Sequence, residues 1–381
     1  MKARSIQVDS PDQLKIALQN VMQDGFKATL AIVFMSVRHN RKQVSDLLWE
    51  QGISIFGCTT HGEFIDENLG KESIALMLMD INPAFFRIYM QNYPNHNCRE
   101  VTREIARVAC KQFPKPAFLI AGSHMGTDAE ELLKGFEDIV GREVNVFGGM
   151  AGDDMTFTEQ FVFTHEGESK QGVVVLALDE EKIRIRGRAT CGWKAIGTPK
   201  TVTRSEGNHV FTVDDVPVLD LTVKYSGFDN LSRDAAAKDT ALLIATTLPL
   251  QLQREKGDPV MRPGLVVNFD DGSFICSGSV PQGSKVRFSV PPDFDVMDTV
   301  IRQTRDLKEK EMPDADAVIV FSCAGRLLSF GPMMSTEIEG IGNLWNAPMV
   351  GMFSNGELAR ATDGNLEMHN LTTCCVVLKE N

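Results

Sequence analysis

Three times along this chain a strand-length apolar run, a helix and a second short strand are followed at once by a glycine loop that ends in an acid, and this recurrence constrains the fold most. The first unit runs from the apolar stretch 28–34, through Asn40 as a helix cap with Val44, Leu47 and Leu48, to 53–56. The second joins 117–121 to 144–147 through a helix opened by a Thr127–Glu130 capping box and carrying Leu132, Leu133, Phe136 and Ile139. The third joins 317–321 to Met349 and Val350 by a longer connection that includes a short helix at 335–338. The corners that follow are Gly57-Cys-Thr-Thr-His-Gly62-Glu63, Gly148-Gly-Met-Ala-Gly152-Asp153 and Gly351-Met-Phe-Ser-Asn-Gly356-Glu357. The first strands of units one and three also match loosely, so one supersecondary design is reused in both halves of the chain. Repeated β-α-β order selects a mixed α/β class, with sheets flanked by helices.

Around these units the pattern changes. Ser10-Pro11 caps and opens a first helix with Leu14, Leu18 and Val21. The segment 161–165, a polar turn over 166–171 and the run 173–178 read as antiparallel sheet, with the alternating 183–188 next to it. Asp270-Asp271-Gly272 turns a hairpin between 266–269 and Phe274-Ile275. A long helix is expected over 294–310, after Pro291-Pro292. No Gly/Ser linker separates the halves, so they are expected to pack together. The division expected is an amino-terminal helix in 1–27, one lobe over 28–222 and a second over 223–381.

With 381 residues, 43% of them hydrophobic and 24% charged, the chain is long enough for two or three domains. No apolar run approaches the about 18 residues of a membrane span. The amino terminus interrupts its apolar residues with polar ones and lacks the core of a secretory signal, so the cytoplasm is the expected location. A formal charge of −12 opposes binding to nucleic acid or anionic lipid. The eight cysteines show no Cys-x-x-Cys spacing and read mostly as buried small hydrophobes. Cys374 and Cys375, adjacent in a strand, point to opposite faces.

Set side by side, these strings resemble the FIST family (F-box and intracellular signal transduction), a FIST N-like module over 28–222 followed by a FIST C-like module over 223–381. The resemblance rests on the three corners together with Cys191-Gly-Trp-Lys-Ala-Ile-Gly197, Phe321-Ser-Cys-Ala-Gly-Arg326 and His369-Asn-Leu-Thr372. It departs at His61, where the family usually has a small residue, making His61 a private ligand or a neutral exposed change. The resemblance implies a sensory protein that binds a small molecule, such as an amino acid. Some free-standing family members are haem proteins that sense nitric oxide and regulate a histidine kinase in trans. No output domain is recognisable here, so a partner is implied: a signalling histidine kinase of a two-component system or a cyclic-di-GMP enzyme. A homodimer is also conceivable.

The candidate ligand residues follow from the corners. Glycines let backbone N–H groups approach a ligand closely. Gly57, Thr60, Gly62, Gly149, Gly152 and Gly356 would line the pocket, and Glu63, Asp153 and Glu357 would present charge to an amine or cation. Alternatively each acid merely accepts backbone hydrogen bonds in its own turn. Trp193 and Phe353 wall a pocket or pack a core. Arg326 contacts an anion or pairs with a nearby acid, and the same arginine suggests a thiol enzyme or hydrolase built on Cys323, although no general base is identifiable.

A haem would be non-covalent, and His165, ending the apolar run 161–165, is the axial candidate against a hydrogen-bonded structural role. Other histidines in or near loops are His61 and His124, while His369 reads as structural. Arg184, Arg186 and Arg188 share a strand face as a clasp for haem propionates or for an acidic partner, or as a solvated face. The expectation is a non-enzymatic cytoplasmic sensor, with haem and nitric oxide the favoured ligand system and an amino acid or metabolite the alternative.

Overall fold

Ser10 and Asn40 each accept a backbone N–H three residues ahead, so the first two helices begin where the sequence places them. In the computed structural model, which describes residues 1–93, 97–124, 126–227, 243, 248–290, 293 and 295–381, the amino-terminal part carries a strand before its helix. The order opens with β1 (Ala3–Val8), α1 (Pro11–Met22), β2 (Leu30–Met35), α2 (Arg41–Trp49), β3 (Ser54–Thr59), β4 (Glu63–Ile65), β5 (Asn68–Leu69) and β6 (Ile74–Met79). Next come β7 (Phe86–Asn92), α3 (Cys98–Gln112), β8 (Pro116–Gly122), α4 (Ala129–Val140), β9 (Val146–Met150), β10 (Val162–Thr164), β11 (Gly167–Ser169), β12 (Gly172–Asp179) and β13 (Ile183–Thr190). A middle stretch holds β14 (Ala195–Glu206), β15 (His209–Val213), β16 (Val216–Pro217), α5 (Val218–Ser226), β17 (Leu250–Leu252), β18 (Val260–Arg262), β19 (Gly264–Asn268), β20 (Ser273–Cys276) and β21 (Lys285–Ser289). The chain closes with α6 (Asp295–Lys310), β22 (Ala317–Cys323), α7 (Ala324–Phe330), α8 (Met334–Trp345), β23 (Met349–Ser354), β24 (Glu357–Arg360), β25 (Leu366–His369) and β26 (Thr373–Glu380).

The three repeats form the parallel pairs β2/β3, β8/β9 and β22/β23. Each pair sits inside a six-stranded sheet, and the three sheets share one plan: β1-β6-β2-β3-β10-β11, β7-β12-β8-β9-β24-β25 and β13-β26-β22-β23-β4-β5. The last two strands of every sheet are supplied by another repeat. The chain leaving β3 joins the sheet of β23, the chain leaving β9 joins the sheet of β3, and the chain leaving β23 joins the sheet of β9. The exchange is cyclic. It explains why each second strand ends in a tight glycine corner, since the backbone must leave one sheet and enter the next within a few residues.

The registers agree between repeats. Phe163 lies opposite Gly57 and Phe64 opposite Gly351, each ring lying where a side chain would otherwise stand. A Cβ on Gly57 would sit 2.3 Å from Phe163, and one on Gly351 would sit 2.1 Å from Phe64. One face of every sheet meets the others in a common core, where Phe34 and Phe321, equivalent residues of two repeats, contact edge to face at 5.6 Å. Helices cover the outer faces, α1 and α2 on the first sheet, α3 and α4 on the second, α6 and α8 on the third. Each fully buried aliphatic or aromatic side chain of these layers contributes about 1.5–3 kcal/mol. A fourth, antiparallel sheet ordered β18-β17-β21-β14-β15-β20-β19 packs its own core with α5.

Several expectations need correction. The run 173–178 does not continue the hairpin of 161–165: β10 folds back on β11, while β12 crosses to pair with β8 and β7. The helix after Thr127 is capped by Asp128, which accepts from Glu130 N–H, while the Thr127 hydroxyl donates to the Ser123 carbonyl. The third connection is two helices, not one. The Asp-Gly hairpin forms as β19 and β20, and the long helix is α6; Pro291, Pro292 and Phe294 lie outside the described residues. Cys374 and Cys375 face different cores. Among the described residues no helix is long and apolar enough to cross a membrane.

Candidate functional site

Because the sheets exchange strands cyclically, their three glycine corners meet. His61 N–H donates to the Phe353 carbonyl and Phe353 N–H to Gly62, tying the first corner to the third. Gly152 N–H donates to Thr59, and Met150 N–H to Gly356, tying the second to both. Gly152 is a glycine because a Cβ there would lie 2.5 Å from the His61 nitrogen. His61 itself is the pin, and it is buried, not exposed. Its Nδ1 accepts from the backbone N–H of Asp153 and Met155 at 3.3 and 2.9 Å, so the other ring nitrogen carries the hydrogen and donates to Asn355 Oδ1 at 2.7 Å. Burial pushes the His61 pKa down, opposed by the Asn355 hydrogen bond and the nearby Asp153 charge.

The three acids are turned inward. Glu63 accepts from the hydroxyls of Thr60 and Ser73 at 2.6 and 2.7 Å and from the Ser73 N–H. Glu357 accepts from Ser354 and Thr372 at 2.7 and 2.6 Å. Asp153 accepts from the N–H groups of Phe157 and Thr158 and from the Gln160 amide. All three are fully buried. Burial raises the Glu63 carboxyl and pushes Glu357 up to about 8, so the latter is largely protonated near neutrality. Glu63 and Glu357 occupy equivalent register positions, opposite Met352 and Gly149. Their counterpart in the remaining repeat is Val162, opposite Cys58, because residues 153–161 form a longer corner there. The corners clamp the sheets together, and their acids accept hydrogen bonds from their own corners and, for Glu63 and Glu357, from Ser73 and Thr372 as well; Gly149, opposite Glu357, is wedged against Phe321 and Ser354.

The remaining candidates lie elsewhere. Arg326 is fully buried, donates to the carbonyls of Cys191 and Leu371 at 3.0 and 3.2 Å and pairs with Glu337. Its guanidinium stands 5.4 Å from the Trp193 ring and 5.3 Å from Phe330, so Trp193 serves this cation and the core. Cys323 is buried beside them, and burial together with the Glu357 charge raises its thiol far above the usual range, leaving a poor nucleophile. His369, buried, has its Nε2 3.1 Å from the Ala359 carbonyl. His165 stacks on Trp49 with ring centroids 3.6 Å apart and planes 3° from parallel.

Two cavities flank His165. One of about 620 Å³ is walled by charged residues including Arg38, Arg41, Lys42 and Glu168, and the other, about 210 Å³, lies against Trp49 and Arg87. These surroundings do not fit a haem: the larger cavity is walled mainly by charged and polar side chains, the smaller, although Ile55, Phe86, Ile88 and Met90 line it, offers only about 210 Å³, and the imidazole sits 3.9 Å from the Glu166 carboxylate.

A different cavity, also about 210 Å³, lies where β9, β13, the end of α6 and the end of β24 meet. Arg186, Arg188 and Arg360 bring three guanidinium groups to it, with Glu311 and Asp363 as carboxylates and Asn145 as an amide. Arg188 pairs with Glu311 at 2.5 Å, Arg186 with Glu180, and Arg360 approaches Glu137 at 3.6 Å. Thr362 lines the same cavity, and its hydroxyl is buried without a hydrogen-bond partner among the described residues. An orphan buried hydroxyl costs about 1–3 kcal/mol unless something satisfies it. Of this group only Arg186 and Arg188 were visible from sequence, by their alternation. Arg360, Thr362 and Asp363 carry no local signal.

Comparison with known families matches residues 29–216 to the FIST N domain and residues 228–360 to the FIST C domain. No curated protein matches the chain. The cavity thus joins the two matched spans, since residues 144–147 and 186–188 fall in the first and Glu311 and Arg360 in the second. FIST modules are sensory domains that bind small ligands. The chain belongs to the FIST family.

Proposed function

We propose that this protein is a non-enzymatic sensor whose ligand is a small zwitterion of the amino-acid class, held in the cavity between the FIST N and FIST C spans, and that ligand binding alters its contact with a signalling enzyme such as a histidine kinase. The observation that carries this reading is the unsatisfied Thr362 hydroxyl in a cavity that presents both guanidinium and carboxylate groups. Guanidinium groups recognise a carboxylate by paired charge-assisted hydrogen bonds, and Asp363 offers an acceptor to an ammonium group. A cavity of about 210 Å³ is below the about 300 Å³ at which drug-sized pockets begin, which suits a ligand of few heavy atoms.

Signal transfer needs a ligand that binds two conformations unequally. A site built from both spans supplies that condition, because any change in their mutual position changes the distance between Arg188 on β13 and Arg360 on β24. The buried, protonated Cys323 supports the non-enzymatic reading. Two measurements on the purified protein test the proposal. A thermal-shift screen against free amino acids is expected to find at least one that raises Tm, and added haem is expected to give no Soret band. A Soret band that His165→Ala abolishes, with no amino-acid response, would replace this reading by haem sensing.

A further inference from the structure

The cyclic plan of the sheets makes β1, β7 and β13 equivalent outer strands. Arg4, Arg87 and Arg186 hold one register position in them: they face Leu78, Ala177 and Val377, which face Ala31, Phe118 and Val318. Two of these arginines have a carboxylate partner in the chain, Arg4 with Asp24 and Arg186 with Glu180. Arg87 instead donates only to the carbonyls of Pro83 and Phe86, at 2.6 and 2.7 Å, and pairs with no carboxylate among the described residues.

The strand that carries Arg87 is equally bare. β13 is bridged on its far side by Ala361, through Ala189, whereas β7 is hydrogen-bonded to β12 and to no other described strand. Beside β7 a groove of about 550 Å³ opens toward α3, with Tyr89, Val101, Ile105 and Val108 as its apolar wall. Glu100 and Glu104 stand on its rim, where they also serve Arg103 and Arg107 of their own helix. An unpaired strand edge with apolar flanks is a template for another strand.

We infer that this edge is the dimer interface: β7 pairs antiparallel with β7 of a second copy about a twofold axis at Tyr89. That axis puts Arg87, two residues before Tyr89, opposite Gln91 of the mate, two residues after it. Gln91 lines the same groove as Glu100, so each Arg87 enters the acidic rim of the other copy. Charge decides the occupant here. An isologous contact satisfies both arginines with one set of residues, covers both open edges and buries Val108, which is 39% exposed in the single chain.

Sedimentation equilibrium of the full chain tests this with three proteins, each checked for folding by circular dichroism. Wild type is expected to form dimers at micromolar concentration. Arg87→Glu is expected to weaken the dimer roughly 100-fold, and the swap Arg87→Glu with Glu100→Arg to recover it to within about tenfold. Arg87→Gln, which only removes the charge, gives the same direction if the reversal fails to fold. A monomeric wild type at every concentration, an Arg87→Glu dimer as tight as wild type, or a swap that restores nothing overturns the inference.

Discussion

His61 and Asn355, 294 residues apart, share a 2.7 Å hydrogen bond that locks the first glycine corner to the third, while the other His61 nitrogen holds the second. One imidazole therefore carries what the exchange of strands requires, a fixed relation among three corners. His61→Ala leaves two backbone N–H groups and the partly buried Asn355 side chain without their His61 partner. The expected cost is about 2–4 kcal/mol, read as a lower denaturant midpoint. A loss below about 0.5 kcal/mol, the range of neutral surface changes, contradicts the pin.

The Glu357 carboxyl gives the fold a pH dependence of known sign. Its pKa is raised from 4.5 to about 8, chiefly by burial, so the folded state favours the protonated form. The stability this contributes is fully present below about 4.5 and is lost as pH rises through about 8. His369, held down to about 4 by burial, acts only below about 6.5 and does not interfere at higher pH. Between pH 6.5 and 8.5 wild type should lose stability by an amount of order 1–3 kcal/mol, and Glu357→Gln should show a flatter profile. Parallel profiles for the two proteins contradict the assignment.

The cysteines separate by burial. Cys110 is exposed and Cys191 intermediate, while Cys323 and the other five are buried. Alkylation of the native protein at mildly alkaline pH, followed by mass spectrometry, should modify Cys110 first and Cys191 more slowly, and should reach Cys323 only after unfolding. Labelling of Cys323 as fast as Cys110 would revive thiol chemistry.

Gly57 is fixed by the ring across the strand pair. Gly57→Ala drives a methyl into Phe163, 2.3 Å from the added carbon, at an expected cost of about 2–3 kcal/mol. Phe163→Leu on that background should return part of the loss, because the obstacle is the ring. If both variants are as stable as wild type in urea, the aromatic-over-glycine contact is not what the corner needs.

Local chemistry made much of this legible. Periodicity located the three β-α-β units, and the glycine corners marked where the chain turns. Which sheet each corner feeds is not local information. Strand alternation in 161–165 and 173–178 specifies two strands but not that β10 and β12 lie in different sheets. The same gap explains His61: whether a loop histidine is buried depends on the two other corners that close over it. Glu63 and Glu357 are expected from sequence to present charge to a ligand, with a turn role as the alternative; the hydroxyls of Ser73 and Thr372 that they accept from lie ten and fifteen residues away, beyond what a local pattern specifies. The cavity was half legible. Alternating Arg186 and Arg188 gave one wall, and no pattern links them to Thr362.

The account turns on what fills the space around the Thr362 hydroxyl. Calorimetric titration of the best amino acid from the thermal-shift screen into wild type, Thr362→Val and Arg188→Met is the direct measurement. One site per chain is expected in wild type, with affinity reduced about tenfold by Thr362→Val, the loss of one net hydrogen bond, and more by Arg188→Met, while Thr362→Val alone leaves Tm without ligand unchanged or higher. Equal affinity in all three proteins, or no heat from any amino acid with wild type, contradicts the assignment of this cavity.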